Sequence, residues 1–262
     1  MRVAVTGASG FIGSALCPAL QAAGHQVTNE NFEVLVHLAG IAHRKAPASE
    51  IRRVNVDLAV RKGREAAAAG AHMIFMSSVK VHGDRSSSPL TEKSSLRPRD
   101  AYAESKVEAE RALRDIPELK LTVLRPTLVY GPGVKANFLS LMRAVARGLP
   151  LPLASVDNRR SLLFVGNLAD AVIRCLESPA SIGRTYLVSD GEAVSSARLC
   201  RDLGEALGRR ARLFPFPPAL LPGKLAGSLE VDDAALRAEL GWKPPFPRAA
   251  GLEATARWYL RG

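Results

Sequence analysis

The 262 residues, 47% of them hydrophobic, suffice to bury a core in one large domain or a domain with a smaller lobe, and no apolar run reaches the roughly 18 residues of a membrane span. The net charge of +11 is scattered without a basic run, and an aromatic content of 5% leaves few platforms for stacking bases, which argues against nucleic acid and for a basic surface that attracts small anions. Cys17, Cys175 and Cys200 have no metal-ligand spacing and fall in predicted helices as buried free thiols, so no metal is expected.

Strand and helix signals then alternate along the chain, the pattern of a parallel sheet covered by helices. The opening MRVAVTG reads as a strand rather than a secretion signal, which places the protein in the cytoplasm. The loop GASGFIG leads into a helix over 11–23 closed by Gly24, and VLVHLAG is a second buried strand, in which His37 is expected to be a satisfied core residue. A helix follows from about 50 to 69, stopped by Gly70, then the strand HMIFMSS, a helix around Tyr102 and the strand LTVLRP. Beyond residue 130 the pattern is less regular: helices in ANFLSLMRAVARG and NLADAVIRCLES, a strand in TYLVSDG, and a proline-rich FPFPPALLPG read as an extended connection.

Two constellations carry chemistry. Gly7, Gly10 and Gly13 stand between a strand and a helix, where a glycine loop lets the backbone approach a pyrophosphate and the helix N-terminus offers N–H groups. Tyr102 and Lys106, four apart, share a helix face, and Ser78 lies at the end of an earlier strand. A free tyrosine with a pKa of about 10 is a poor base at neutral pH, and a neighbouring ammonium favours its phenolate. Together they suggest redox chemistry on an alcohol, with Ser78 orienting the oxygen.

TGASGFIG, VHLAG, RRVNVD, SSVKVHG, YAESK, LRPTLVYGPG, RSLLFVGNLADAV and LGWKPPFP, in this order, resemble the extended short-chain dehydrogenase/reductase superfamily, in particular its nucleotide-sugar epimerases, dehydratases and reductases. The resemblance implies an α/β fold with a Rossmann-like doubly wound parallel sheet. Residues 1–130 would form the dinucleotide-binding part with the catalytic residues, and 131–262 would complete the sheet and form a small substrate-binding lobe. It implies NAD or NADP as cofactor, NAD being favoured, with the pyrophosphate at Gly7, Gly10, Phe11, Ile12 and Gly13 and the pocket lined further by Leu38, Ala39 and Gly40. Tyr102 would be the acid/base, Lys106 would bond the nicotinamide ribose, and Ser78 rather than Ser77 would be the catalytic serine. Asn137 and Arg160 fall where relatives contact a nucleotide diphosphate, a task that suits the planar donor fork of Arg.

Relatives that dehydrate the sugar carry an Asp-Glu pair after the serine; here Val79-Lys80 stands there, which disfavours dehydration. Lys80 is instead a candidate contact for a substrate phosphate or sugar substituent. His82 replaces a common tyrosine. The expected activity is C4 epimerisation of a UDP-hexose, with a 4-keto-sugar reductase of surface-polysaccharide synthesis as the alternative and a non-catalytic dinucleotide sensor or scaffold as a third. A homodimer is expected from the family's habit of pairing through the Tyr-bearing helix.

One interval departs from the pattern. Only GHQVTNENFE separates the first helix from the VHLAG strand, where relatives have a strand, a helix and a third strand. Five residues after a strand at 26–28 reach at most about 18 Å, against roughly 19 Å needed to return along a full-length strand and step over two spacings. The second strand is therefore expected to be frayed or absent, or a segment omitted. Glu30, 20 residues after Gly10, is the candidate acid for the adenosine ribose. A second shortening is expected near LPGKLAGS.

Overall fold

The computed structural model describes residues 1–42 and 46–261. Six parallel strands form the central sheet: β1 (Arg2–Thr6), β2 (Gln26–Val27), β3 (Val34–His37), β4 (His72–Met76), β5 (Lys120–Pro126) and, after the short pair β6 (Leu128–Tyr130) and β7 (Leu162–Phe164), β8 (Thr185–Val188). Their order is β2-β1-β3-β4-β5-β8, with β6 and β7 paired separately. β3 is buried at all four positions and β4 at all five, as expected of strands covered on both faces.

The helices that cover the sheet are α1 (Phe11–Ala22), α2 (Ala48–Arg52), α3 (Leu58–Ala68) and α4 (Ala101–Arg114), then α5 (Ala136–Ala146), α6 (Val165–Glu177) and α7 (Ser196–Ala206). The short α8 (Gly223–Ala226) and α9 (Ala234–Leu240) and the closing α10 (Arg248–Arg261) complete the set. Leu16 and Leu20 of α1 and Leu168 and Val172 of α6 pack on the face that carries Val3, Val5, Val34 and Val36. Ala59 and Ala66 of α3 and Ala109 and Leu113 of α4 cover the opposite face, with Ala4, Leu35, Met73 and Phe75. A separate core gathers Phe138, Met142, Leu162, Phe164, Leu199, Leu203 and Leu252 from β7, α5, α7 and α10. Among the described residues no helix is long and apolar enough to cross a membrane.

The shortened interval resolves simply: β2 exists, but it is two residues long. Gln26 and Val27 pair with Arg2 and Val3, and the Thr28 N–H donates to the Val3 carbonyl at 3.0 Å. The chain then turns, and the Glu33 N–H reaches the Arg2 carbonyl on the other side of β1 at 2.9 Å. With so little strand to retrace, the crossing fits within a few residues, and Phe32 packs on the face that holds Ala4 and Leu35. The reach argument excluded a second strand of full length, and the strand is indeed frayed to two residues.

Three smaller expectations also change. The helix over 50–69 is α2 and α3 joined by a π-helical turn, Arg53–Asp57. The proline-rich connection holds a 3₁₀ turn, Pro218–Leu220, and leads directly into α8. All three cysteines are free thiols, but Cys17 is only half-buried.

Candidate active site

β1 delivers the chain to Gly7, whose φ of +75° is strained for any residue with a side chain and at which a Cβ would stand 3.0 Å from the Ala39 nitrogen. The Gly10 N–H closes the loop on the Gly7 carbonyl at 3.0 Å, and α1 starts there without a side-chain cap or an acidic residue in its first turn. Its N-terminal positive potential is therefore left for an anion. A Cβ on Gly13 would lie 2.5 Å from the Ala8 carbonyl oxygen, so this glycine lets the loop sit on the helix. Phe11 and Ile12 are half-buried beside it.

Across the sheet, the Leu38 N–H donates to the Thr6 carbonyl at 3.1 Å, which carries Leu38, Ala39 and Gly40 past the glycine loop. Asn55, in the π-helical turn, holds the next residue from both sides. The Ile41 N–H donates to its Oδ1 at 2.7 Å, and its Nδ2 donates to the Ile41 carbonyl at 3.2 Å and to Ser105 Oγ of α4 at 2.9 Å. Sequence reasoning saw RRVNVD only as a motif; the available signal was a buried asparagine among apolar helical positions. A Cβ on Gly40 would lie 3.2 Å from Asn55 Oδ1 and 3.4 Å from Lys106 Nζ, so the missing side chain lets this backbone pass close to both.

Asp100 caps α4 by accepting from the Ala103 N–H at 2.8 Å, which places Tyr102 in the first turn and Lys106 one turn on. Lys106 Nζ donates to the Met76 carbonyl at 2.8 Å and lies 4.8 Å from the Phe75 ring and 5.9 Å from the Tyr102 ring. Burial brings the Lys106 pKa down to about 8, against the pull of Glu110. Burial pushes the Tyr102 phenol up to about 12; a hydrogen bond with Ser78 opposes this and the Asp100 charge adds to it. Ser78 caps the 3₁₀ turn Val79–His82, accepting from the Lys80 N–H at 3.2 Å. Ser77, its neighbour, turns the other way and donates to Glu110 Oε1 at 2.5 Å. Ser78 is thus the serine that meets the tyrosine.

Behind Ser77 lies a buried ion cluster with no counterpart in the sequence reading. Arg125 grips Glu110 through Nε at 2.9 Å and Nη2 at 2.6 Å, Arg114 adds a third contact at 2.9 Å, and Arg125 Nη1 reaches His82 Nε2 at 3.1 Å. His82 is therefore an acceptor for arginine in the core. His37 departs from expectation. Its Nδ1 meets Thr6 Oγ1 at 2.9 Å, but its fully buried Nε2 has no partner among the described residues, and burial, then Lys106 and Lys62, bring its pKa down to about 3.

The remaining candidates divide. Lys80 is ion-paired with Asp100 and, at 3.7 Å, with Asp84, which sets its charge at the start of α4. Arg160 is half-buried, donates through Nη1 to the Gly227 carbonyl at 2.9 Å and senses the same Asp84. Asn137 is exposed in the first turn of α5, just after the loop whose Gly133 lies against Phe11. Glu30 is not brought to the site. It lies in the turn that follows Thr28, and its neighbours Asn31 and Glu33 line a hollow with Arg2, Gly70 and Ala71 at the end of the sheet away from Gly7.

Comparison with known proteins bears on this arrangement. The model of the NAD dependent epimerase/dehydratase family matches residues 3–31 and 28–189, its two pieces meeting where β2 is cut short. A UDP-glucose 4-epimerase of Vibrio cholerae is 36% identical over 256 residues, covering 88% of this chain and 78% of the relative. A UDP-glucose 4-epimerase of Mycolicibacterium smegmatis is 28% identical, covering 99% of this chain and 98% of the relative. Among solved structures, a UDP-N-acetylglucosamine 4-epimerase from Bacillus cereus superposes with a TM-score of 0.85 at 19% identity over all of both chains. RMD from Pseudomonas aeruginosa, complexed with NADPH, superposes with a TM-score of 0.82 at 23% identity over 100% of this chain and 99% of that one.

Proposed function

Because the chain belongs to the NAD-dependent epimerase/dehydratase family, and is thereby an NAD(P)-dependent enzyme of the extended short-chain dehydrogenase type, we propose that it epimerises a UDP-hexose at C4 through a 4-keto intermediate. The observation that carries this reading is the meeting of Ser78, Tyr102 and Lys106 opposite the Gly7 and Gly40 backbone. Gly7, Gly10, Phe11, Ile12 and Gly13 would hold the pyrophosphate, and Lys106 the nicotinamide ribose. When bound, NAD(P) supplies a hydride acceptor and donor. Tyr102 Oη removes the proton of the C4 hydroxyl and returns it, while Ser78 Oγ hydrogen-bonds the same oxygen and fixes its direction. Burial resists the phenolate and the Ser78 hydrogen bond opposes that burial, with Lys106 Nζ 5.9 Å from the Tyr102 ring. Arg160 and Asn137 are assigned to the diphosphate. The absence of carboxylates at Val79-Lys80 speaks against dehydration.

A second reading, an NAD(P)H-dependent reductase of a 4-keto sugar, is favoured by one feature: the Tyr102 pKa of about 12 keeps the phenol protonated and ready to donate. A relative named ceramide reductase, of Caulobacter vibrioides, is 28% identical over 88% of this chain. Incubation with UDP-hexoses and 4-keto sugars, following NAD(P)H absorbance and sugar stereochemistry together, separates the two. An epimerase forms a new stereoisomer with no net absorbance change; a reductase consumes NAD(P)H. Tyr102→Phe should lower turnover by about 10²- to 10⁴-fold with folding and dinucleotide affinity retained, and unchanged turnover refutes the assignment.

A further inference from the structure

A doubly wound dinucleotide sheet is built from two halves, one for each mononucleotide. In this chain the half made of β3, β4 and β5 is of ordinary length and brings in Ser78, Tyr102 and Lys106. The other half is β1, α1 and a two-residue β2, with no strand beyond β2 among the described residues. The shelf on which the adenosine would lie is therefore mostly absent.

The carboxylates of that segment lie at the wrong end of the sheet. Thr28 turns the chain back: its Oγ1 donates to the Glu30 carbonyl at 3.0 Å and accepts from the Glu30 N–H at 3.2 Å. The backbone anchors on either side of this turn are Val3 and Arg2. Asn31, Phe32 and Glu33 line one hollow with Arg2 and with Gly70 and Ala71 just ahead of β4, at the end of the sheet away from Gly7. Glu33 is held at the same end, accepting from the Arg2 N–H at 2.8 Å and pairing with its guanidinium at 3.9 Å. An acid that selects NAD must reach the ribose 2'-hydroxyl beside the glycine loop, where it also repels a 2'-phosphate. Glu30 and Glu33 do neither.

We propose that this chain holds its dinucleotide by the pyrophosphate and nicotinamide ends, with no carboxylate of residues 24–33 on the adenosine ribose, and so binds NADP(H) as well as NAD(H). This rests on the reading above that the glycine loop holds the pyrophosphate. The net charge of +11 favours the extra phosphate further at low ionic strength.

The test is equilibrium titration of the intact chain, without sugar, by the fluorescence of NADH, NADPH and deamino-NADH, the last carrying hypoxanthine in place of adenine. All three dissociation constants are expected within about tenfold of one another, because a charged hydrogen bond to the ribose is worth at least about that factor. Glu30→Gln should leave the NADH to NADPH ratio unchanged within twofold. NADH binding more than tenfold tighter than NADPH, or a ratio that shifts in Glu30→Gln, overturns the inference while leaving the pyrophosphate reading intact. Failure of all three to bind overturns both.

Discussion

Lys106→Met tests whether the ammonium of the site is truly desolvated. Lys106 is 3% exposed, and burial brings its pKa from the ordinary 10.5 to about 8. Between those values the unfolded chain holds more protons than the folded one, so stability rises with pH from about 8 to 10.5. The gap withholds about 3 kcal/mol of stability at neutral pH, of which about 2.5 kcal/mol is recovered by pH 10. Methionine keeps most of the stem's packing and removes the titration. Denaturant unfolding of both proteins at pH 7 and pH 10 should show the wild type gaining about 2.5 kcal/mol on the variant, since other titrations cancel in the difference. At pH 7 the variant should match the wild type, because relief of the buried charge offsets the roughly 1–3 kcal/mol lost where the Met76 carbonyl loses its donor. Its dinucleotide affinity and turnover should both fall. Parallel pH profiles within about 0.5 kcal/mol would refute a desolvated Lys106.

Two further outcomes follow from the buried groups. Arg125→Met leaves Glu110, which is fully buried, with the Ser77 hydrogen bond and the half-exposed Arg114, and should destabilise by about 3–5 kcal/mol. Adding Glu110→Leu should recover much of that loss in the same urea titration. His37, with a folded pKa of about 3 against an ordinary 6.5, binds fewer protons folded than unfolded in that window. Stability therefore falls as pH drops, by about 3 kcal/mol between pH 6.5 and 4, and His37→Phe should abolish that part of the acid sensitivity, as read by unfolding at the two pH values.

What the sequence made legible was local. β1, β3, β4 and α1 stand where apolar runs and glycines put them, because burial on both faces and a positive-φ stop leave a mark within a few residues. The glycine loop and the Tyr102 and Lys106 spacing were visible for the same reason. β2 was legible only as a frayed candidate at 26–28, since its two residues are strand only through bonds to Met1 and Val3. Asn55 hid because its partners, Ile41 and Ser105, lie 14 and 50 residues away. The ion pair of Lys80 was hidden because nothing local announces Asp100, 20 residues on, as its partner. The grip of Arg125 on Glu110 and His82 was likewise a product of tertiary packing, as was the missing partner of His37 Nε2.

The ion cluster and the reactive pair are parts of one line of charge along α4. Tyr102, Lys106 and Glu110 recur every four residues and so share the helix face turned to the sheet. Glu110 alone would hold the Lys106 ammonium firmly charged, since it is the one group that raises the lysine's pKa. Burial outweighs Glu110, so Lys106 rests near 8, while Arg125, Arg114 and Ser77 share that carboxylate from the other side. A lysine poised there is charged at neutral pH yet weakly solvated. Arg125→Met should therefore raise the Lys106 pKa as well as destabilise the fold. The alkaline rise in stability should then start at higher pH than in the wild type, a displacement that a merely structural role for Arg125 would not produce.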